Sequence, residues 1–357
     1  MEITRELAAI SALNRMYGYS PVKGHALLEK YGSAAAVPGL SPEQEFAQLR
    51  WLRERGHILV SCLEEDYPPL LKETPDGPVG LYVTGVSPPR EIFSYKRAIA
   101  IVGTRDITSY GAFWCRKIVQ ALAQTAERPV IVSGFAIGTD IIAQREALRC
   151  GLRTIGVMPC GPESIYPPRH RDTAGVLVNT EGCALVSDYP PGTGAVASNF
   201  IRRNRIIAGL ADAVILIESK RRGGGLITMD FAADYGRAAY ALPGRLEDPC
   251  SEGCNNLIRR NKAEIITDID SLLDSLSLGL LGRLPGNDLL QEAGRIYADD
   301  PLPLKVLQHI KKHRGITPDE ICADLNLPYS TVAQAVARLS GDGMIVSDPL
   351  QRCSVSR

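Results

Sequence analysis

Short apolar, β-branched runs recur through the middle of the chain: Ala98 to Val102, Val130 to Val132, Thr154 to Val157, Ala184 to Val186, Val214 to Ile217 and Ala239 to Leu242. Amphipathic helical stretches separate them, so the pattern predicts parallel strands with crossover helices, a doubly wound α/β sheet. Ahead of it, residues 1–55 read as a small helical module, with Leu27, Leu28 and Tyr31 on one helix face and a turn from Gly18 to Pro21. Ile58 to Val60 and Leu81 to Val83 flank a stretch rich in Pro, Gly and Asp, which predicts two further short strands at the start of a main domain spanning 56–272. Residues 273–300, where the periodicity fades among Gly and Pro, read as a linker.

The final segment, 301–357, predicts three helices and a hairpin, a winged helix-turn-helix. Val306, Leu307 and Ile310 mark the first helix, and Thr317, Pro318 and Glu320 form a capping-box start for the second. Val332, Ala335, Val336 and Leu339 stripe the third, and Met344 to Val346 continue as a strand. That third helix offers Thr331, Gln334 and Arg338, a single cation among them, and the segment holds 7 basic against 5 acidic residues. Duplex recognition draws on several phosphate contacts, so the tail is expected to meet either a protein partner or duplex DNA.

The 357 residues are 45% hydrophobic and 22% charged, enough to bury a full core and incompatible with wholesale disorder. Forty Lys and Arg balance forty Asp and Glu, so a polyanion site has to be a local cluster. No apolar run approaches the length of a bilayer-spanning helix and no signal core opens the chain, which leads to an expectation of a cytoplasmic protein without membrane contact. The nine cysteines include no Cys-x-x-Cys pair. They are read as reduced thiols, and neither Cys250 with Cys254 nor His309 with His313 is assigned a metal.

The candidate chemistry lies at the strand ends. After the first central run come Gly103, Thr104 and Arg105: a residue permitting close backbone approach, a hydroxyl and a forked donor. Ser133 and Gly134, then Gly138 before a helix start, expose backbone amides at a positive helix end. Arg221 and Arg222 precede Gly223, Gly224 and Gly225 at another helix start near Leu226, with Thr228 two residues further on. Each turn is weak by itself, but the topology puts all three on one sheet edge. Between them lies a helix with Phe200, Arg202, Arg203, Asn204 and Arg205; at 100° per residue Arg203 falls on the apolar arc with Phe200, Ile206, Ile207 and Leu210. A guanidinium there must find a carboxylate, carbonyl or phosphate. Residues 200–262 hold 11 Lys and Arg against 7 Asp and Glu, the local excess that a polyanion site requires.

Enzymatic motifs are missing. The glycine triplet lacks the Lys-Ser/Thr of a nucleotide-hydrolysing loop, the turn from Gly103 to Gly111 lacks Gly-x-Gly-x-x-Gly, and there is no Gly-x-Ser-x-Gly elbow. Asp140, at a helix start, reads as a cap. No cofactor is assigned, and a polyanion groove without chemistry is the leading reading. The alternative is an enzyme on a phosphorylated nucleotide, since nucleoside-monophosphate phosphoribohydrolases share such a sheet. Their Gly-Gly-x-Gly-Thr turn carries a Glu three residues beyond the Thr, where this chain has Phe231.

Val102-Gly103-Thr104-Arg105, Val132-Ser133-Gly134 with Gly138 and Asp140, Cys160-Gly161 with Tyr166-Pro167, Arg203 to Leu210, Leu226-Ile227-Thr228, Pro243-Gly244 and Asn256-Leu257-Ile258 follow one another in the order of a known family. Over roughly Gly56 to Ile266 the chain resembles bacterial DNA-processing protein A, also called Smf. The resemblance implies an extended Rossmann-like domain that binds single-stranded DNA, forms homodimers and helps load the recombinase RecA during natural transformation. It also implies that Arg105, Ser133, Gly134 and Arg203 to Arg205 line the DNA pocket, with Phe200 placed to stack a base. Four departures stand out: Gly223 to Gly225 replace Ser-Gly-Ser, Gln144 stands at a common His, Lys262 replaces a Gly and adds charge, and the turn around Gly18 lacks the second Gly of a duplex-binding hairpin.

Overall fold

The computed structural model describes residues 3–278, 293–294, 296–298, 300–313, 315–348 and 351–355. It divides into two compact units, 1–280 and 281–357. In the first, helices α1 (Arg5–Tyr17), α2 (Pro21–Tyr31) and α3 (Pro42–Arg53) precede strand β1 (His57–Ser61), α4 (Pro69–Lys72), β2 (Gly80–Thr84) and α5 (Pro89–Ile92). Then come β3 (Ala98–Val102), α6 (Ser109–Ala123), β4 (Val130–Ser133), α7 (Thr139–Arg149), β5 (Thr154–Val157), α8 (Arg171–Val178), β6 (Ala184–Ser187) and α9 (Ala197–Gly209). The unit closes with β7 (Ala213–Leu216), α10 (Gly224–Asp234), β8 (Ala238–Ala241), α11 (Glu252–Arg259), β9 (Glu264–Ile265) and α12 (Ile269–Ser275).

Among the described residues these strands form one nine-stranded sheet in the order β1-β2-β6-β5-β4-β3-β7-β8-β9. Pairing is parallel from β6 through to β9, while β1 and β2 add antiparallel to that edge. The chain steps from β3 outward through β4, β5 and β6, then returns to the far side of β3 as β7. The order therefore reverses between β3 and β7, the place where an open α/β sheet leaves a crevice.

Both faces of the sheet are covered, which is why its strands read as continuous apolar runs. Ala98, Ala100 and Val102 of β3 point into one core with Val132, Val157 and Leu216, while Ile99 and Ile101 point into the other with Ile131 and Ile215. The amino-terminal helices belong to the first of these cores: Leu7, Ile10, Leu13, Leu49 and Leu52 pack in one cluster with Leu59, Leu81 and Tyr82. A polar pin reinforces the join, with Ser11 Oγ donating to Glu45 Oε2 at 2.7 Å and lying 3.3 Å from the Tyr82 hydroxyl. The helical module expected at 1–55 is thus continuous with the sheet domain, because its apolar stripe has no other surface to bury.

The linker expected at 273–300 is described only at its ends. Residues 273–275 finish α12, Leu278 is buried in the sheet domain's second core, and Ala293 and Tyr297 are buried in the core of the second unit. The remainder lies outside the described residues. The second unit is the expected winged helix-turn-helix, built from helices Pro301–Lys312, Pro318–Leu325 and Tyr329–Gly341 and the hairpin Ile345–Ser347 with Cys353–Val355. Thr317 and Glu320 make the reciprocal capping box, and Val332, Ala335 and Leu339 are buried. Arg338, the one cation on the third helix's predicted outer positions, donates to Asp300 Oδ2 at 2.7 Å and lies over the Tyr297 ring.

Candidate nucleic-acid interface

The crevice at the reversal point has a volume of about 570 Å³, and the turns after β3 and β7, the start of α7 and the first half of α9 form its walls. The turn after β3 is strapped on both sides. Thr104 N–H donates to the Glu218 carbonyl at 2.8 Å, and the Thr104 carbonyl accepts from the Thr139 amide and hydroxyl, each at 3.2 Å. Gly138 makes that approach possible: it has φ of +85°, and a Cβ there would lie 2.3 Å from the Thr104 carbonyl oxygen. Held this way, Thr104 hands the chain to Arg105 at the mouth.

The exposed Arg105 guanidinium lies 4.6 Å over the Phe200 ring, and Phe200 meets Tyr166 edge to face at 5.4 Å. Among the described residues Arg105 has no carboxylate within ion-pair distance, and the same holds for Arg222 on the opposite wall. Behind Arg222, Gly223 caps α10, an eleven-residue helix, so Gly224 and Gly225 present first-turn amides that the helix leaves unpaired. Gly225 must be small: a Cβ there would meet Leu216 Cδ1 at 2.7 Å and the Gly103 Cα at 3.4 Å. Asn204 Nδ2 donates to the Gly224 carbonyl at 3.2 Å, tying α9 to the same turn, and the buried Thr228 completes this wall.

The floor is ionic. Arg203 is 3% exposed and donates to the carbonyls of Gly134 and Val157 at the ends of β4 and β5. Burial lowers its pKa while Asp140 opposes that shift. Burial in turn raises the Asp140 carboxyl, countered by Arg203 and by the Ala136 amide. The helix cap at this point is Gly138; Asp140 lies beside Arg203 against Gly134 as an electrostatic neighbour, not as an ion-pair partner. Among the described residues it is also the single carboxylate on the crevice lining, against Arg105, Arg203, Lys220 and Arg222.

Gly103, Thr104, Arg105, Phe200, Arg203, Asn204, Arg222, Gly224, Gly225 and Thr228 converge on the crevice as the sequence suggested. Several other expectations need correction. Arg205 is buried on the far side of α9, where it pairs with Asp188 and donates to the Asp76 carbonyl. The segment joining β1 to β2 covers that face, so the helix has no outer side there. Arg202 donates to the Gly18 carbonyl at 2.8 Å. Ser133 is fully buried and donates to the Ile101 carbonyl at 2.6 Å, between strands and not toward a ligand. Gly134 and Gly138 act through backbone packing behind the lining.

On the exposed surface, Arg221 faces Glu252 at 3.8 Å and Lys262 faces Asp230 at 3.7 Å, each outside the crevice. Gln144 is fully buried beside Gly156. Missed from the sequence were Lys220, Tyr166 and Ile201, which line the crevice. The adjacency of Lys220 to Arg221 and Arg222 was a usable signal; the contact between Tyr166 and Phe200 was not, since they are 34 residues apart. Phe231 stacks on Tyr235 at 5.9 Å, so the position required to be acidic in the hydrolase alternative is part of an apolar contact. In the second unit the His309 and His313 rings lie 4.6 Å apart and His309 Nε2 is 2.9 Å from Asp324.

An extended Rossmann-like sheet joined in sequence to a winged helix, with unpaired guanidiniums and free helix amides around its reversal point, defines an α/β protein with an anion-receptive crevice. The model of the DNA recombination-mediator protein A family matches residues 58–277, and the chain belongs to that family. A winged helix-turn-helix DNA-binding model matches 299–346. Protein Smf of Synechocystis sp. is 41% identical over 281 residues, 79% of this chain and 66% of that protein. Protein Smf of Escherichia coli is 37% identical over 234 residues, 66% of this chain and 60% of that protein. The chain thus spans somewhat under two thirds of these relatives' length.

Among solved structures, DNA processing protein A from Streptococcus pneumoniae superposes with a TM-score of 0.63 at 30% identity, over 77% of this chain and 98% of that one. The Helicobacter pylori protein, described for its single-stranded DNA binding mode, gives 0.55 at 28% identity, over 62% and 95%. No helix among the described residues is long and apolar enough to cross a membrane.

Proposed function

We propose that the crevice binds single-stranded DNA and holds it without transforming it. The observation that carries this reading is the Arg105–Phe200 pair: a guanidinium without a carboxylate partner lies over an aromatic ring, facing the free amides of α10. Guanidinium and amides suit the sugar-phosphate chain, and the ring offers a sequence-tolerant stacking face. The Helicobacter pylori relative, described as a single-stranded DNA binder, supports the same assignment. The protein then protects incoming single strands and passes them to RecA in transformation and recombination, working as a cytoplasmic homodimer. Its winged helix makes a second contact, with duplex DNA or a protein partner.

The test is a mobility-shift comparison of one oligonucleotide as single strand and as duplex, followed by salt titration of the single-strand complex. Arg105→Ala should reduce the log-log salt slope by about 0.7 for each phosphate that the guanidinium no longer neutralises. An unchanged slope refutes the role given to Arg105. Base release from a nucleoside monophosphate by the purified protein would establish the hydrolase alternative instead.

A further inference from the structure

Helix α9 carries two guanidinium–aromatic pairs. Arg105 over Phe200 is at the crevice, while Arg202, two residues along the helix, lies 4.2 Å over the Tyr19 ring, in the turn between α1 and α2. Arg202 is half-buried, spends one hydrogen bond on the Gly18 carbonyl, and among the described residues has no carboxylate within ion-pair distance. Tyr19 is 62% exposed, and Met16 and Val22 beside it in sequence are exposed too. No Asp or Glu occurs from Leu7 to Leu28, and Lys23 is exposed nearby. Between the two pairs Ile201, 51% exposed, belongs to the crevice lining, so apolar surface continues from one to the other.

We propose that Tyr19 and Arg202 form a second stacking station, on which a single strand leaving the crevice lays a further base across the amino-terminal helices. This rests on the crevice being a single-strand site. The chemistry repeats the first station: a π face for a base and a guanidinium for the adjoining phosphate, with the nearby Asp188 carboxylate buried and already paired with Arg205. The stations lie on different sides of one helix, so about a helix diameter of 10–12 Å or more separates them, a span that takes more than one nucleotide of strand. The amino-terminal turn therefore sets the length of strand the protein covers.

Full-length protein and oligothymidylates of increasing length, read by fluorescence anisotropy, test this. Tyr19→Ala should weaken binding about tenfold for oligomers long enough to reach the turn and leave those confined to the crevice unchanged. Tyr19→Phe should bind both as the unaltered protein does. Arg202→Gln should lower the salt slope by about 0.7 on long oligomers alone. Arg105→Ala should weaken both lengths. Since Tyr19 is exposed, its variants keep the fold.

Equal affinity of Tyr19→Ala and the unaltered protein for every length, with Arg105→Ala weakened, overturns the second station and leaves the crevice reading standing. Loss at every length in Tyr19→Ala also overturns it, since the turn would then act through the crevice. A change of oligomeric state in Tyr19→Ala with long-oligomer affinity intact assigns the patch to a second copy of the chain and overturns the station as well. Absence of single-strand binding by the unaltered protein overturns both readings together.

Discussion

Removing the Arg205 guanidinium separates a fold-holding role from a DNA-contacting one. Arg205 and Asp188 are paired with side chains 5% and 4% exposed, and Arg205 also donates to the Asp76 carbonyl. The second Asp188 oxygen, Oδ1, is buried without a hydrogen-bond partner among the described residues. Arg205→Ala therefore leaves a carboxylate in a nonpolar interior, a change that costs about 3–5 kcal/mol. For a unit of this size the melting midpoint should fall on the order of 10 °C.

Burial already raises the Asp188 carboxyl and Arg205 opposes that, so the variant lets it rise further. The folded state then holds a proton that the unfolded state has released, and stability falls as pH climbs above the ordinary carboxylate range. The deficit relative to the unaltered protein should be smaller at about pH 4 than at about pH 7. Circular dichroism melts across pH measure this. Salt titration of single-strand binding, on protein held well below its melting point, should give an unaltered slope. Replacing both partners, Arg205→Met with Asp188→Leu, should recover most of the stability. A variant that melts like the unaltered protein but binds with a flatter salt slope would refute the structural role and return Arg205 to the DNA.

Two further outcomes are expected. Burial pulls the Glu6 pKa upward, but hydrogen bonds from Ser33, Ala34 and Ala35 outweigh it and hold the carboxyl below its ordinary 4.5. Its stabilisation is therefore complete above that pH and lost as pH falls through the lower folded value, and Glu6→Gln should reduce stability at neutral pH and flatten the acid limb of a urea-denaturation series. Thr317→Ala removes the capping box of helix Pro318–Leu325 and should cost about 0.5–2 kcal/mol. Hydrogen exchange should show the loss in the winged helix and leave the protection of β3 and β4 as it was; equal loss in both would mean that the two units unfold as one.

The alternation of apolar runs and helical stripes determined the parallel sheet, its six central strands to within a residue or two, the capping box and the winged helix, because these follow from local periodicity and end chemistry. The turns after β3 and β7 were legible for the same reason: strand-end loops of a doubly wound sheet share an edge whatever else packs around them. The fate of each arginine in Arg202-Arg203-Asn204-Arg205 was not. Helical spacing separates their directions, but only the packed chain shows that Arg203 meets strand-end carbonyls, Arg205 meets Asp188, and Arg202 meets the turn at Gly18. A guanidinium's role depends on which partner reaches it, and those partners come from β4, β5, β6 and α1, brought together by the tertiary fold and invisible to any local pattern.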